Sequence, residues 1–569
     1  MPSPQPEAPG ADSPRAIDVS VSGSAGRVPQ PQESASEWRW WQRGVIYEVY
    51  PRSFQDSNGD GVGDLRGIRQ RLPYLAWLGV DIVWIPPVYP SPMADFGYDV
   101  IDPTAIDPLF GTLEDMDALI ADAHQLGLKV IIDFVPNHTS DQCPWFIESR
   151  SGRDNPKRDW YIWHDPAPDG GPPTNWFSHL GGRAWTLDKA SGQYYMHSFL
   201  PEQPDLNWRN NEVQEAVLQQ LRFWLDRGVD GFRMDALMHL FKDANFHNNP
   251  PNPDYDPKVH GEHEQLMPRF TLDQAEVQVV IARMRALLDQ YDGDRMMLGE
   301  LYLPLEALIA YYGADGKGVQ LPTNSLLILQ PWKIDSIRTA ILEVERLVPQ
   351  FAWPNWSFGN HDKQRLATRL GQDQVRLAAM LLLTLRGTPI MYYGDEIGMH
   401  DVPVAPENIR DPFEKRVPNK GFGRDPERSP MRWDASPKAG FTTAEPWLPM
   451  GDDVASVNVA SAQADPGSLL NLYHHLLALR REEPALNIGR FEAVDAPPTV
   501  LAYLREHHGR RLLVALNFGT TPVRFKYPDL QGASVLLGSH THERPQADGW
   551  QQEGVLLPAF GGEIIALAG

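Results

Sequence analysis

From residue 44 onward the apolar positions fall into two alternating patterns. Short runs rich in Val, Ile and aromatic residues alternate with longer stretches whose apolar residues recur three and four positions apart. The runs GVIYEVY (44–50), DIVWIPP (81–87), KVIIDFV (129–135), VDGFRMD (229–235) and MMLGELY (296–302) read as buried strands. NSLLILQ (324–330), NWSFGN (355–360) and TPIMYYG (388–394) complete a set of eight. Between them, residues 65–79, 113–127, 211–228 and 274–291, and the stretches near 335–348 and 374–386, carry the helical period, and LLNLYHHLLALRREEPAL (469–486) is a last long helix. Strands that are apolar throughout, alternating with helices, predict a parallel sheet covered on both faces. Eight such units predict a (β/α)8 TIM barrel. A doubly wound sheet would open with a glycine-rich phosphate loop after its first strand. Here that place is taken by the acidic DSNGDGVGD (56–64).

Two connections are too long for simple turns. Residues 139–206 cluster Trp, Pro and Gly around short strand-like segments, which predicts a small domain inserted after strand three. Residues 398–465, rich in Pro and charge, are expected to form a long lid after strand eight. The barrel itself is then assigned to 37–138 and 207–486. Residues 487–569 hold TVLAYLRE, RRLLVALNF and EIIALA, short alternating strands that predict a C-terminal antiparallel β-sandwich. Residues 1–36 are Pro-, Ser-, Ala- and Gln-rich with no apolar run, and are expected to be a disordered tail rather than a secretory signal.

Composition narrows the partners. With 51 basic and 74 acidic residues the net charge is −23, which argues against nucleic acid. No run of 18 apolar residues is present, so no membrane span is predicted, and a soluble cytoplasmic protein is the expectation. Cys143 is the sole cysteine, which removes disulfide frameworks and Cys/His zinc clusters. Eighteen tryptophans are many; exposed ones would suit sugar rings, but most are expected in the core.

The loop after strand one matches part of a calcium pattern. Asp56, Asn58 and Asp60 stand at its positions 1, 3 and 5, Gly61 at the turn, the Val62 carbonyl at 7 and Asp64 at 9. Position 12 is Gly67 instead of glutamate, and the preceding VIYEVY is a strand, so this is no EF-hand. A Ca2+ site is expected, with Mg2+ as the other hard cation, against the alternative of a plain Asx/Gly turn.

Catalytic side chains of a barrel sit at the C-terminal ends of its strands. Those ends carry the stretch Asp133 to His138, then Arg233 with Asp235, Glu300, and His361 with Asp362. Three carboxylates on one rim suit acetal cleavage, which needs a proton donor for the leaving oxygen and, in a retaining enzyme, a carboxylate nucleophile about 5–5.5 Å away. In GFRMD, Arg233 and Asp235 are two apart and share a strand face, so the guanidinium should keep Asp235 ionised as nucleophile. Glu300, among apolar residues in MMLGELY, should be raised by desolvation and serve as acid/base. Asp362 would stabilise the oxocarbenium-like transition state.

Several segments together carry a resemblance: VIYEVYPRSFQDSNGDGVGDL, SPMADFGYDV, DFVPNH, EQPDLNW, GVDGFRMDAL, LGELY, GNHD, TPIMYYGDEIGM and GRDPERSPMRWD, spanning residues 45–434. The chain resembles the α-amylase superfamily of retaining α-glycoside hydrolases, most closely its α-glucosidase and oligo-1,6-glucosidase branch. The resemblance implies the same three roles for Asp235, Glu300 and Asp362. It adds a glucose-holding shell of Asp95, Tyr98, His138, Arg233, His361 and Arg424. Asp95 and Arg424 would grip the far hydroxyls and make the enzyme exo-acting, and Tyr98 would stack on the sugar. It also implies that the metal of the DSNGDGVGD-type loop is structural. Strand six matches the family pattern poorly. In this branch, valine after the nucleophile goes with α-1,6 linkages and alanine or threonine with α-1,4. Ala236 therefore implies short α-1,4 substrates such as maltose. The covalent intermediate implies transfer to acceptors other than water. Rivals are a trehalose synthase or sucrose isomerase or hydrolase on the same fold, and a non-catalytic sugar-binding or transporter-associated relative.

Overall fold

A computed structural model describes residues 38–540 and 554–568. The tail assigned to residues 1–36 lies outside them. Eleven strands run to the end of the barrel: β1 (Ile46–Glu48), β2 (Ile82–Ile85), β3 (Lys129–Phe134), β4 (Trp163–His164), β5 (Trp185–Asp188), β6 (Gln193–Met196), β7 (Gly231–Met234), β8 (Met296–Gly299), β9 (Leu321–Pro322), β10 (Asn355–Ser357) and β11 (Thr388–Tyr392). Eight of them form one parallel sheet in the order β10-β11-β1-β2-β3-β7-β8-β9. Every residue of β1, β2, β7, β8 and β11 is buried, which is why these runs are apolar without alternation.

The helices follow from spacing and caps. In Leu65–Leu78 the buried residues Leu65, Ile68, Leu72, Leu75 and Leu78 fall on one face. Asp64 caps its start by accepting from the Gly67 amide, and Gly79 ends it in a left-handed conformation at φ 103°. Outward, Arg66 and Arg69 pair with Asp115 and Asp122 of the next helix, Leu113–Gln125. Helices Asn211–Asp226, Val277–Leu288, Ile334–Leu347 and Val375–Thr384 cover the later strands. The last helix is Leu469–Glu482, because Pro484 starts a separate turn, Pro484–Asn487. No helix among the described residues is long and apolar enough to cross a membrane.

The predicted sixth strand needs correction. The strand is Leu321–Pro322, and Leu326–Leu329 is a single helical turn whose first amide is capped by Asn324. A four-residue apolar run carries no periodicity, and here the cap and Pro331 decide for a turn. A two-residue strand has too few partners to close the barrel, and β9 has no ladder to β10. Asn355 bridges the gap instead: its side-chain amide donates to the Pro322 carbonyl (2.6 Å) and its oxygen accepts from the Asn324 amide (2.9 Å).

Between β3 and β7, β4, β6 and β5 form a three-stranded antiparallel sheet packed on Trp176, Ala184, Trp185 and Met196. Beyond the barrel come β12 (Arg490–Val494), β13 (Val500–His507), β14 (Arg510–Asn517), β15 (Val523–Phe525), β16 (Ser534–Gly538), β17 (Val555–Leu557) and β18 (Gly561–Ala566). Their main antiparallel sheet runs β12-β13-β14-β18-β16, with β15-β17 as a second sheet. Its central strands bury both faces: Leu501, Tyr503, Leu512 and Val514 join the barrel core, and Val500, Ala502, Leu513 and Ala515 join a separate small core with Phe525 and Leu557. Fully buried Arg505 fastens this sheet to the barrel by donating to the Thr384 and Gly489 carbonyls (2.5 and 2.8 Å).

Replacing Asn355 by Leu strands two buried backbone groups at the open seam. The expected cost is about 2–4 kcal/mol. A lowered apparent unfolding temperature with unchanged circular dichroism below the transition checks it.

A candidate carbohydrate-cleaving site

The C-terminal ends of the barrel strands open into a cavity of about 790 Å3. Its lining includes Asp235, Glu300 and Asp362, together with Asp95, Tyr98, His138 and Arg424. Arg233 and His361, expected to hold sugar directly, are buried beneath this floor. Among the described residues no tryptophan lines the cavity.

Arg233 organises the floor. Its Nη1 donates to Asp235 Oδ1 at 2.6 Å and to Asp133 Oδ2 at 3.1 Å, and its Nη2 reaches Glu300 Oε1 at 2.8 Å. Strand alternation puts the Arg233 and Asp235 side chains on one face. β7 lies between β3, which supplies Asp133, and β8, whose end supplies Glu300. Glu300 Oε2 accepts from the Ala236 amide at 2.9 Å. That amide is aimed by a left-handed backbone at Ala236 (φ 48°), a conformation a non-glycine residue adopts at a cost of about 1–2 kcal/mol.

The electrostatics differ from carboxyl to carboxyl. Burial and the neighbouring Glu300 charge push the Asp235 carboxyl well above its ordinary value, with Arg233 opposing them. Burial thus outweighs the guanidinium that was expected to keep Asp235 ionised. Burial pushes Asp133 up to about 6 despite Arg233. Asp362 is the opposite case. Burial works to raise it, but surrounding positive charge holds it far below the usual carboxylate range. Arg428 Nη2 stands 2.7 Å and Arg424 Nη1 3.3 Å from its Oδ1. His361 itself is pushed down to about 3 by burial.

At the far wall Arg424 Nη2 donates to Asp95 Oδ1 at 2.7 Å and to Asp411 Oδ1 at 2.6 Å. The Gln203 amide donates to Asp95 Oδ2 at 3.2 Å. His138 Nε2 lies 3.1 Å from the Tyr98 carbonyl, and burial pushes its imidazole down to about 4. The Tyr98 ring stacks on His361 (centroids 5.6 Å apart), and its hydroxyl lies 2.7 Å from both Asp133 Oδ2 and His361 Nε2. Asp411, Arg428, Gln203 and Asp133 thus join a site in which sequence reasoning gave them no role. Arg428 stood inside the quoted GRDPERSPM, whereas Asp411 lies in an irregular segment with no motif around it.

The loop 56–64 is built of side-chain turns. Asp56 Oδ1 accepts from the Asn58 and Gly59 amides, its Oδ2 from Gly61, Asn58 Oδ1 from Asp60, and Asp60 Oδ1 from Val62. The Thr442 hydroxyl also donates to Asp56, which leaves that carboxylate fully occupied, whereas Asn58, Asp60 and the Val62 carbonyl keep lone pairs that fit a hard cation. Asp64 fits less well, because its oxygens accept from Ser57 and cap the following helix at Gly67. Gly67 itself has no room for a side chain: a Cβ there would meet the Gln55 carbonyl at 1.9 Å, so no position-12 glutamate is possible. Among the described residues no three His, Cys, Asp or Glu side chains converge as a metal site.

Comparison with known proteins agrees with this geometry. The model of the alpha amylase catalytic domain matches residues 48–489. The chain is 39% identical to a "Probable alpha-glucosidase" of Rhizobium meliloti (strain 1021), over 93% of this chain and 97% of that one. It is 37% identical to the "Oligo-1,6-glucosidase" of Heyndrickxia coagulans over 88% of this chain and 96% of that one. It is also 40% identical to the "Amino acid transporter heavy chain SLC3A1" of Homo sapiens, over 84% and 71%. Among solved structures, the alpha-glucosyl transfer enzyme XgtA superposes with a TM-score of 0.86 at 39% identity, covering 94% of this chain and all of that one. The trehalulose synthase MutB gives 0.83 at 32% identity, covering 93% and all of that chain. The chain belongs to the α-amylase family.

Removing the Asp411 carboxylate (D411A) frees Arg424 from its main anchor. KM for a glucoside is expected to rise about tenfold with kcat changed by less than about threefold; steady-state kinetics on the purified variant check the split.

Proposed function

We propose that this chain is a retaining, exo-acting α-glucosidase acting on short α-glucosides, with a preference for α-1,4 linkages such as maltose. The observation that carries the reading is one guanidinium, Arg233, held between two carboxylates of unlike surroundings, with a third carboxylate, Asp362, kept ionised beside them. The coarser part, a glycoside-cleaving enzyme of this family, is supported by relatives named alpha-glucosidase and oligo-1,6-glucosidase.

In the first step an Asp235 oxygen forms a bond to the anomeric carbon while the bond from that carbon to the leaving oxygen breaks. Glu300 gives its proton to the leaving oxygen. Asp235 must be ionised for this step, and the 2.6 Å bond from Arg233 to its Oδ1 favours that state. Charge developing on the ring is offset by Asp362. In the second step Glu300 takes a proton from water, the water oxygen attacks the anomeric carbon, and Asp235 departs with retained configuration. An alcohol in place of water gives transfer, in keeping with the neighbour described as an alpha-glucosyl transfer enzyme. Asp95 and Arg424 close the far wall, so the glucosyl unit at the end of a chain is the one cleaved.

A second reading, sugar isomerisation through the same intermediate, is favoured by the likeness to a trehalulose synthase. Products separate the two. Wild type on maltose, isomaltose, sucrose and trehalose is expected to release α-glucose, fastest from maltose. The D235N variant is expected to lose at least ~10³-fold in kcat. Isomaltose cleaved much faster than maltose removes the Ala236 argument. Isomeric disaccharides in place of glucose establish the second reading. A wild type silent on every sugar returns the chain to the binding role of the transporter-like relative.

We also propose a structural Ca2+, or Mg2+, held by Asn58, Asp60 and the Val62 carbonyl, with Asp56 bracing the loop from within and Asp64 stabilising it as a helix cap. A cation bound only by the folded state stabilises it, by about 2.7 kcal/mol at a hundredfold excess over Kd. A chelator is therefore expected to lower the apparent unfolding temperature by several degrees and leave kcat below the transition unchanged. An unmoved transition counts against the site.

A further inference from the structure

Glu48 is a carboxyl that the reaction above does not use. It ends β1, is fully buried, and points into the barrel below the site. Its Oε1 contacts His361 Nδ1, and its Oε2 has no hydrogen-bond partner. Asp95, Asp133, Asp235, Glu300, Asp362 and Asp411 each touch an arginine, and Glu48 touches none.

From Glu48 an unbroken chain of contacts reaches the nucleophile. It runs through His361, Tyr98, Asp133 and Arg233 to Asp235. The protons on it can be placed by counting donors. Tyr98 has one hydroxyl proton and two neighbours, Asp133 Oδ2 and His361 Nε2. Ionised Asp133 can only accept, so the hydroxyl donates to it. His361 Nε2 must then be an N–H donating to Tyr98 Oη. In a neutral imidazole this leaves Nδ1 bare, and Nδ1 can only accept. The proton in the Nδ1 contact therefore comes from Glu48.

The alternative is an ion pair, imidazolium with Glu48 carboxylate. It would leave one charged oxygen in the core without a donor. It would also add a cation beside Arg428, whose Nε donates to the His361 carbonyl at 2.8 Å, and near Arg233. Of the other groups that sense Glu48, Arg233 and the His361 backbone favour its carboxylate, while Asp133 and Asp362 above it and the phenols of Tyr392 and Tyr393 on and after β11 do not. The acids disfavour a further negative charge, and the tyrosines supply none of the missing hydrogen bonds.

We infer that Glu48 is a positioning residue: a neutral carboxylic acid that donates to His361 Nδ1, fixes the Nε2–H tautomer, and so keeps the Tyr98 hydroxyl aimed at Asp133 beneath Arg233 and the nucleophile. Burial, which pushes the Glu48 carboxyl well above its usual value, acts in the same direction. A carboxylic acid kept neutral by its surroundings so that it can donate has precedent in enzyme sites.

The activity half of the test rests on the glucosidase reading; the spectroscopic half does not. E48Q keeps a donor, the amide, against Nδ1. Its kcat/KM is expected within about threefold of wild type, with the acid limb of the pH profile unmoved. E48L removes the donor, and a loss on the order of 10–100-fold, the usual size for a lost orienting hydrogen bond, is expected. Its acid limb should move to higher pH as Asp133 loses the Tyr98 hydroxyl. The infrared difference spectrum of wild type minus E48Q should contain a protonated-carboxyl C=O band that shifts in D2O. E48Q as impaired as E48L, or an ionised-carboxylate band in the difference spectrum, overturns the neutral donor. E48L indistinguishable from wild type overturns the positioning role. If E48L does not fold, E48Q and the spectrum still decide. If no glucoside is cleaved by wild type, the function reading has failed and the spectrum tests Glu48 by itself.

Discussion

One buried guanidinium is the constraint from which the rest of the site follows. Arg233, almost wholly removed from water, is contacted by Asp133, Asp235 and Glu300. Desolvating an arginine costs several kcal/mol, and only such close carboxylates offset it. The reverse also holds: without the cation, three acids in one dry floor would all be driven to protonate. The barrel makes this arrangement possible because three adjacent strands, β3, β7 and β8, deliver their side chains to the same rim in register.

The same principle assigns different duties to chemically similar groups. Asp235 and Glu300 share one cation, Arg233, which contacts both. Asp362 has Arg428, and shares Arg424, and stays charged. Asp95 faces Arg424, and Asp411 behind it supplies the countercharge that keeps Arg424 in place. Below them, Glu48 has no arginine at all, and in a site this rich in acids it is the one for which a neutral form costs least.

Much of this was legible in the sequence, for physical reasons. Strands buried on both faces read as unbroken apolar runs, so the barrel was visible, and strand alternation placed Arg233 beside Asp235 before any coordinates. The failures are equally specific. The sixth strand is two residues long, and the apolar LLIL run beside it is a helical turn; no period distinguishes the two at that length. Arg233 and His361 are buried and stand outside the cavity lining, because sequence shows which rim a residue occupies and not how deep it sits. Asp411 was invisible, since its partner Arg424 approaches through irregular chain where no periodicity operates. Glu48 was passed over as an interior strand residue, although a carboxyl in the apolar run VIYEVY was itself a signal that a buried partner existed.

The backbone at Ala236 ties the two reacting carboxyls together. Asp235 follows β7 directly, and the next residue turns left-handed, which sends its amide to Glu300 Oε2. Asp235 and Glu300 are thus held by one side chain, Arg233, and by one stretch of main chain, so neither can shift without the other. A left-handed residue pays for its Cβ, and a β-branched side chain pays more than alanine. Alanine at this position therefore keeps the turn at lower strain than valine or threonine would, while presenting only a methyl group to the cavity. Ala236 is in this way a hinge between Asp235 and Glu300, and a change of side chain there acts on the spacing of the two carboxyls.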